Sequence, residues 1–175
     1  MGILRTILGK DTTTDILDLL KAQHAEVDAL IAQLEARQGD PQAAFLELAN
    51  KLAAHAAAEE KVFYPAVVTK ETRELLEESV EEHLAVKRVL ADMITMTLDD
   101  GAFHAKLSVL KEQVSHHAHS EEEGKLFPKL RISLSADQRA ALGNEYLVAF
   151  EELMDAQPYK QVARETRQAA PLPRA

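Results

Sequence analysis

Cysteine is absent from the 175 residues. That excludes disulfide scaffolds, thiolate metal sites and cysteine nucleophiles. Long hydrophobic runs are also missing, and none approaches the length a bilayer span needs. Residues 2–10 lack the apolar core of a secretory signal, so the cytoplasm is the expected location and no membrane partner is expected. The start Met1-Gly2-Ile3-Leu4-Arg5-Thr6 fits the loose myristoylation pattern but has no polybasic companion, and we read it as fortuitous. Positive charge is in deficit: 20 Lys and Arg stand against 29 Asp and Glu, a net charge of −9. Phosphate contacts need clustered Lys and Arg, so no nucleic-acid partner is expected. Aromatic residues make up only 5% of the chain.

Ala, Leu, Glu and Lys are abundant, which favours helix. The length suits one domain with a sizeable core and a short appendage. Four long amphipathic segments follow one another, at about Thr14–Arg37, Pro41–Val68, Thr72–Leu98 and Ala102–Leu130. Gly39-Asp40-Pro41 and Asp99-Asp100-Gly101 punctuate them, and Pro41 suits a first helical turn. Ser135 with Gln138 reads as a capping box for a shorter fifth helix ending near Met154. The expectation is an all-α, up-down-up-down four-helix bundle with that shorter C-terminal helix. Its parts are an N-terminal segment (1–11), the bundle with its fifth helix (12–155) and a tail (156–175). The tail's three prolines after Gln157 and its lack of apolar period suggest a loosely held segment.

Histidines interrupt the apolar stripes. The first helix reads Leu20, His24, Val27, Ile31, in steps of four, three and four, which puts His24 in the seam. The second reads Leu48, Leu52, His55, Glu59, Phe63; the third Leu76, Val80, His83, Leu90; the fourth Leu107, Leu110, Val114, His117, Glu121. A His and a Glu four apart differ by about 40° around a helix, so both reach one point. The second and fourth helices match each other from Phe45/Leu107 to Glu59/Glu121 and then run into Tyr64-Pro65 and Phe127-Pro128, the fourth with one extra residue before the proline. Lone buried carboxylates and unpaired imidazoles are unfavourable, by about 1–3 kcal/mol even for a neutral polar group. A cation resolves such a cluster, and without thiolates iron or manganese suits it better than structural zinc.

His24, the run His55-Ala-Ala-Ala-Glu59-Glu60 leading to Phe63-Tyr64-Pro65, Glu82-His83, and the His- and Glu-rich run 116–123 leading to Leu126-Phe127-Pro128 together resemble the hemerythrin HHE cation-binding domain, over roughly residues 12–155. The resemblance implies two non-haem iron ions with a bridging oxo or hydroxo group, manganese or a mixed pair being the less favoured content. It implies His24, His55, His83 and His117 as terminal ligands and Glu59 and Glu121 as bridges. Oxygen-carrying hemerythrins have two His four apart on the third helix; here Ser79 and Lys87 stand at that spacing from His83. Two six-coordinate irons make twelve bonds, and this donor set with one bridging oxygen leaves two positions for water, dioxygen or peroxide.

The fourth helix leaves alternatives open. His117 with Glu121 follows the stripe, His119 with Glu123 points about 160° away, and His116 with Glu121 would need a π-bulge near Gly124. Either His116 or His119 replaces or joins His117 in those readings. Glu60, Glu122, Glu123 and the Glu77-Glu78, Glu81-Glu82 run are expected to face solvent, His104 the surface, and Tyr64 to be packed or half-exposed. Asp28, four after His24, reads as an exposed polar residue more than as an acceptor that orients an imidazole.

The resemblance implies a protein that binds dioxygen or reduces small oxidants such as hydrogen peroxide, with an unidentified reductant and a catalase- or peroxidase-like activity. The rival is a non-catalytic module that binds or senses oxygen, nitric oxide or iron.

Overall fold

The structure is a computed structural model that describes residues 14–174. The myristoylation-like start and the N-terminal segment lie outside the described residues. Helix α1 is Ile16–Glu35, and Asp15 caps it by accepting from the Leu17 amide. Helix α2 begins at Pro41, capped by Asp40, and runs as α-helix to Ala58. It continues as π-helix over Glu59–Phe63 and ends in the α-helical turn Tyr64–Val67. Helix α3 is Arg73–Ile94. Helix α4 is α-helical over Gly101–Ser115, π-helical over His116–Leu126 and α-helical again over Phe127–Ser133. Helix α5, Ala136–Ala156, starts with the expected Ser135–Gln138 capping box. Each cap satisfies backbone amides that a helix start leaves without partners.

The helices alternate in direction, as two apolar layers at opposite ends make plain. One layer holds Ile31, Phe45, Leu48, Leu90, Phe103 and Leu110. The other holds Leu17, Leu20, Phe63, Leu76, Phe127 and Leu130. Helix α1 enters the second layer first and the first layer last; α2 does the reverse, and α3 and α4 repeat the alternation. The four-helix bundle is therefore up-down-up-down. His24, His55, His83 and His117 lie between the two layers along their helices, so a polar sheet of side chains divides one apolar core from the other.

Helix α5 lies beside α1 and α2. Its Tyr146 and Phe150 are buried in the second layer, and Arg139 pairs with Asp15 at 2.7 Å. Gly143 permits this approach: a Cβ there would come within 1.9 Å of the Thr14 carbonyl oxygen.

The tail differs from its expectation. Gln157 takes a left-handed conformation (φ 55°) and turns the chain into a 3-10 helix, Pro158–Arg164. Val162 is 1% exposed and joins the first apolar layer. Farther on, the Arg88 guanidinium donates to the Thr166 carbonyl and that of Arg73 to the Pro173 carbonyl. Tyr159 packs on the first layer too, Ala169, Ala170 and Leu172 pack on the second, and Lys87 pairs with Glu165 at 3.3 Å, so scattered contacts hold a segment that has no periodic apolar signal of its own. Among the described residues, no helix is long and apolar enough to cross a membrane.

Candidate metal centre

All four expected histidines are buried, and their Nε2 atoms point into one space. Two groups of potential ligand atoms form there. His24, His55, Glu59 and Glu122 make one; Glu59, His83 and His117 make the other. Glu59 belongs to both. His55 Nε2 and His83 Nε2 each lie 3.2 Å from Glu59 Oε2, and His24 Nε2 lies 3.2 Å from Glu122 Oε2. The His83 and His117 Nε2 atoms are 3.0 Å apart.

The outward nitrogens explain the inward ones. His24 Nδ1 faces Glu123 at 2.8 Å, His83 Nδ1 faces Glu60 at 3.0 Å, and His117 Nδ1 faces Glu82 at 2.8 Å. His55 Nδ1 faces the Gln23 side-chain oxygen at 2.8 Å, which also accepts from the Tyr146 hydroxyl. Carboxylate and amide oxygens only accept, so each Nδ1 donates and each neutral ring keeps its Nε2 lone pair turned inward. Hydrogen-bonded acceptors of this kind orient metal-binding imidazoles and raise their basicity.

The fit of this set to a cation shows in its unsatisfied atoms. His24 Nε2, His55 Nε2, Glu59 Oε1 and Glu122 Oε2 are all buried without a hydrogen-bond partner. Buried polar groups seldom stay unpaired, because each costs about 1–3 kcal/mol. Converging imidazole nitrogens and carboxylate oxygens are the donors that a divalent or trivalent transition metal takes. Without a cation, protons supply the positive charge. Burial pushes the His117 imidazolium down, but the charge on Glu122 and bonds to Glu59 and Glu82 outweigh it and raise the group to about 10. His24 and His83 are also raised despite burial, His24 chiefly by Glu122 and His83 by Glu59 and Glu60. Burial would raise the Glu59 carboxyl, yet the His55 charge and bonds from His117, His55 and His83 hold it well below the usual range.

Placement of the expected residues is uneven. His24, His55, Glu59, His83 and His117 come together; Glu121 does not join them. Its carboxylate turns aside to Lys125, at 2.6 and 2.8 Å, and to His116 at 3.5 Å. Glu122, expected in solvent, is fully buried in its place. The π-helix is the reason. From His116 onward the backbone bonds i to i+5, so the residue five after His117 returns to the inner face. On α2 the π-helix begins only at Glu59, so the His55–Glu59 spacing stays at four.

A signal for this existed in the sequence: counting back five from the aromatic-proline pairs selects Glu59 before Tyr64 and Glu122 before Phe127. Glu60, Glu82 and Glu123 likewise bond imidazoles, where solvent was expected. His116 and His119 are largely exposed; His119 pairs with the exposed Asp28 at 2.8 Å. His104, expected at the surface, is bonded by Arg37.

Tyr64 is fully buried at the centre, rather than packed apart or half-exposed. Its hydroxyl lies 3.0 Å from Glu122 Oε1 and 3.3 Å from both Glu59 Oε2 and His83 Nε2. Burial and the charges on Glu122 and Glu59 push its phenol well above the usual range. Beside the histidines lies a cavity of about 30 Å³, walled otherwise by Val27, Leu52, Ala56, Val86, Val114 and Ala118. That is room for a water-sized molecule with apolar surroundings on one side.

Comparison with known proteins agrees with this arrangement. The family model of the hemerythrin HHE cation-binding domain matches residues 15–130. A protein of Nostoc sp. (strain PCC 7120 / SAG 25.82 / UTEX 2576) described as a DNA nickase is 30% identical over 142 residues. The match covers 77% of this chain but only 39% of that protein, so the chain spans about two-fifths of its relative's length. No solved structure matches. With the helices, the interior histidines and the family match in agreement, the chain belongs to the hemerythrin HHE cation-binding domain family.

Proposed function

We propose that this domain holds two irons and uses them to bind dioxygen or to reduce small oxidants such as hydrogen peroxide. In this reading His24, His55, Glu59 and Glu122 hold one iron, Glu59, His83 and His117 hold the other, and Glu59 is shared. The observation that carries it is the convergence of four inward Nε2 atoms on two buried carboxylates, each with one oxygen that lacks a partner. Iron bound there supplies Lewis acidity and one-electron exchange with a small oxidant.

The protein's own groups do the rest. Glu123, Gln23, Glu60 and Glu82 fix the four rings through their Nδ1 atoms, so little reorganisation accompanies binding or reaction. The apolar layers above and below keep bulk water out, and the small cavity against the histidines admits only a very small molecule. A substrate the size of a sugar or nucleotide has no place there.

Cleavage of DNA, named for the Nostoc relative, is not carried over. The match leaves most of that protein's length unaccounted for, and the charge of −9 opposes phosphate contacts. Stopped-flow mixing of the iron-loaded protein with peroxide and with dioxygen tests the proposal. Peroxide turnover is expected. A stable, reversible oxygen adduct without turnover would assign a carrier or sensor instead.

A further inference from the structure

The two halves of the centre repeat each other, and the departures from the repeat are informative. One half contributes Gln23-His24, then His55, Glu59-Glu60 and Tyr64; the other contributes Glu82-His83, then His117, Glu122-Glu123 and Phe127. In each half the residue before the first histidine takes the Nδ1 of the second: Gln23 for His55, Glu82 for His117. The residue after each buried glutamate takes the Nδ1 of a histidine in the opposite half: Glu60 for His83, Glu123 for His24. The aromatic before each proline stacks on that same histidine. Tyr64 lies on His83 (5.5 Å, 20°) and Phe127 on His24 (6.2 Å, 11°).

Apart from the His-to-Glu spacing, four on α2 and five on α4, the repeat breaks at two residues. Gln23 is neutral where Glu82 is an acid, and Phe127 lacks the hydroxyl that Tyr64 carries. Both breaks enrich the His83–His117 side in oxygen donors or negative charge.

The hydroxyl has more acceptors around it than it can serve. Glu122 Oε1, Glu59 Oε2 and His83 Nε2 all lie within 3.3 Å. When His83 is neutral its Nδ1 proton goes to Glu60, so its Nε2 is a lone pair. One phenolic proton satisfies one acceptor and leaves the other two facing an oxygen. A common cation removes the conflict. With metal–donor bonds of about 2.1 Å, donors at right angles around one ion stand about 3.0 Å apart. The His83–His117 separation is 3.0 Å and the Tyr64–His83 separation 3.3 Å.

We propose that Tyr64 is a metal ligand, its phenolate oxygen joining Glu59, His83 and His117, so that the two metal positions are unequal and the tyrosine-bearing one favours ferric iron. The proposal rests on the metal-centre reading above. On binding, the phenolic O–H bond breaks, its proton passes to the buffer, and the freed electron pair goes to the cation. A hard, anionic oxygen favours the more highly charged ion. The other position has Phe127 where this one has Tyr64, and the Tyr64 hydroxyl touches it only through Glu122, whereas it lies 3.3 Å from His83 Nε2 on its own side.

The test loads the full-length protein with ferric iron and records iron content, visible absorption and resonance Raman spectra. A phenolate-to-iron charge-transfer band is expected, with tyrosine ring vibrations that shift when the protein is grown on ring-deuterated tyrosine. Tyr64→Phe should bring the band per bound iron to background. Tyr159→Phe and Tyr146→Phe should keep it, and since the chain has three tyrosines, they assign the band even if Tyr64→Phe fails to fold. Iron bound without any tyrosine-derived band, or a band that survives in Tyr64→Phe, overturns the proposal alone. Failure of the wild-type protein to bind iron overturns the metal-centre reading and this inference with it.

Discussion

Removing metal and raising the pH should destabilise this protein in a predictable way. In the metal-free state His117 is raised to about 10 against a reference of 6.5, so between those values the folded protein holds a proton that the unfolded chain does not. A raised group stabilises fully below the unfolded value and loses its contribution as pH climbs toward the folded one. The slope is therefore negative, about 1.4 kcal/mol per pH unit for one proton, or roughly 2.8 kcal/mol between pH 7 and pH 9. His24 and His83 are shifted in the same direction and add to it. Below neutrality the limit is set by Glu59, whose depressed carboxyl stabilises above 4.5 and loses that contribution as pH falls through its folded value. Urea unfolding of chelator-treated protein from pH 6.5 to 9.5 measures the slope. Iron-loaded protein should show a flatter profile, because the cation replaces those protons. Metal-free stability that stays level or rises over this range would refute the reasoning.

Other outcomes follow from particular contacts. Glu122→Gln should lower bound iron sharply, whereas Glu121→Gln, whose carboxylate serves Lys125, should leave the iron content near wild type by elemental analysis. Gly143→Ala places a methyl group against the Thr14 carbonyl, a backbone atom that cannot swing aside; thermal unfolding should show a loss of about 1–3 kcal/mol. Val162→Ala removes two methyl groups from the first apolar layer and should cost about 1.6 kcal/mol in denaturant unfolding, while a tail that does not pack would give no change.

The bundle was legible because its period is regular. Leu20, Val27 and Ile31 mark one face of α1 whatever surrounds it, and His24 is conspicuous because it breaks that face. His55, Glu59, His83 and His117 were readable for the same reason. Glu122 was hidden because the π-bulge near Gly124 was applied only to His116 with Glu121, while His117 was paired at the α-helical spacing of four; hydropathy alone does not report how far the π-helix extends. Glu60, Glu82 and Glu123 looked like a solvated face because each is charged; that they bond imidazoles depends on the facing helix, which local pattern does not contain. Tyr64 had no sequence signal beyond its place before Pro65. The tail's packing depends on Val162 meeting a core made from residues of helices far earlier in the chain.

Diffraction from the iron-loaded protein at energies on either side of the iron absorption edge tests the central claim directly. Two anomalous peaks are predicted, one amid His24, His55, Glu59 and Glu122 and one amid Glu59, His83 and His117. No iron in the interior, or a single peak at the outer cluster of Glu78, His116 and Glu121, would contradict it.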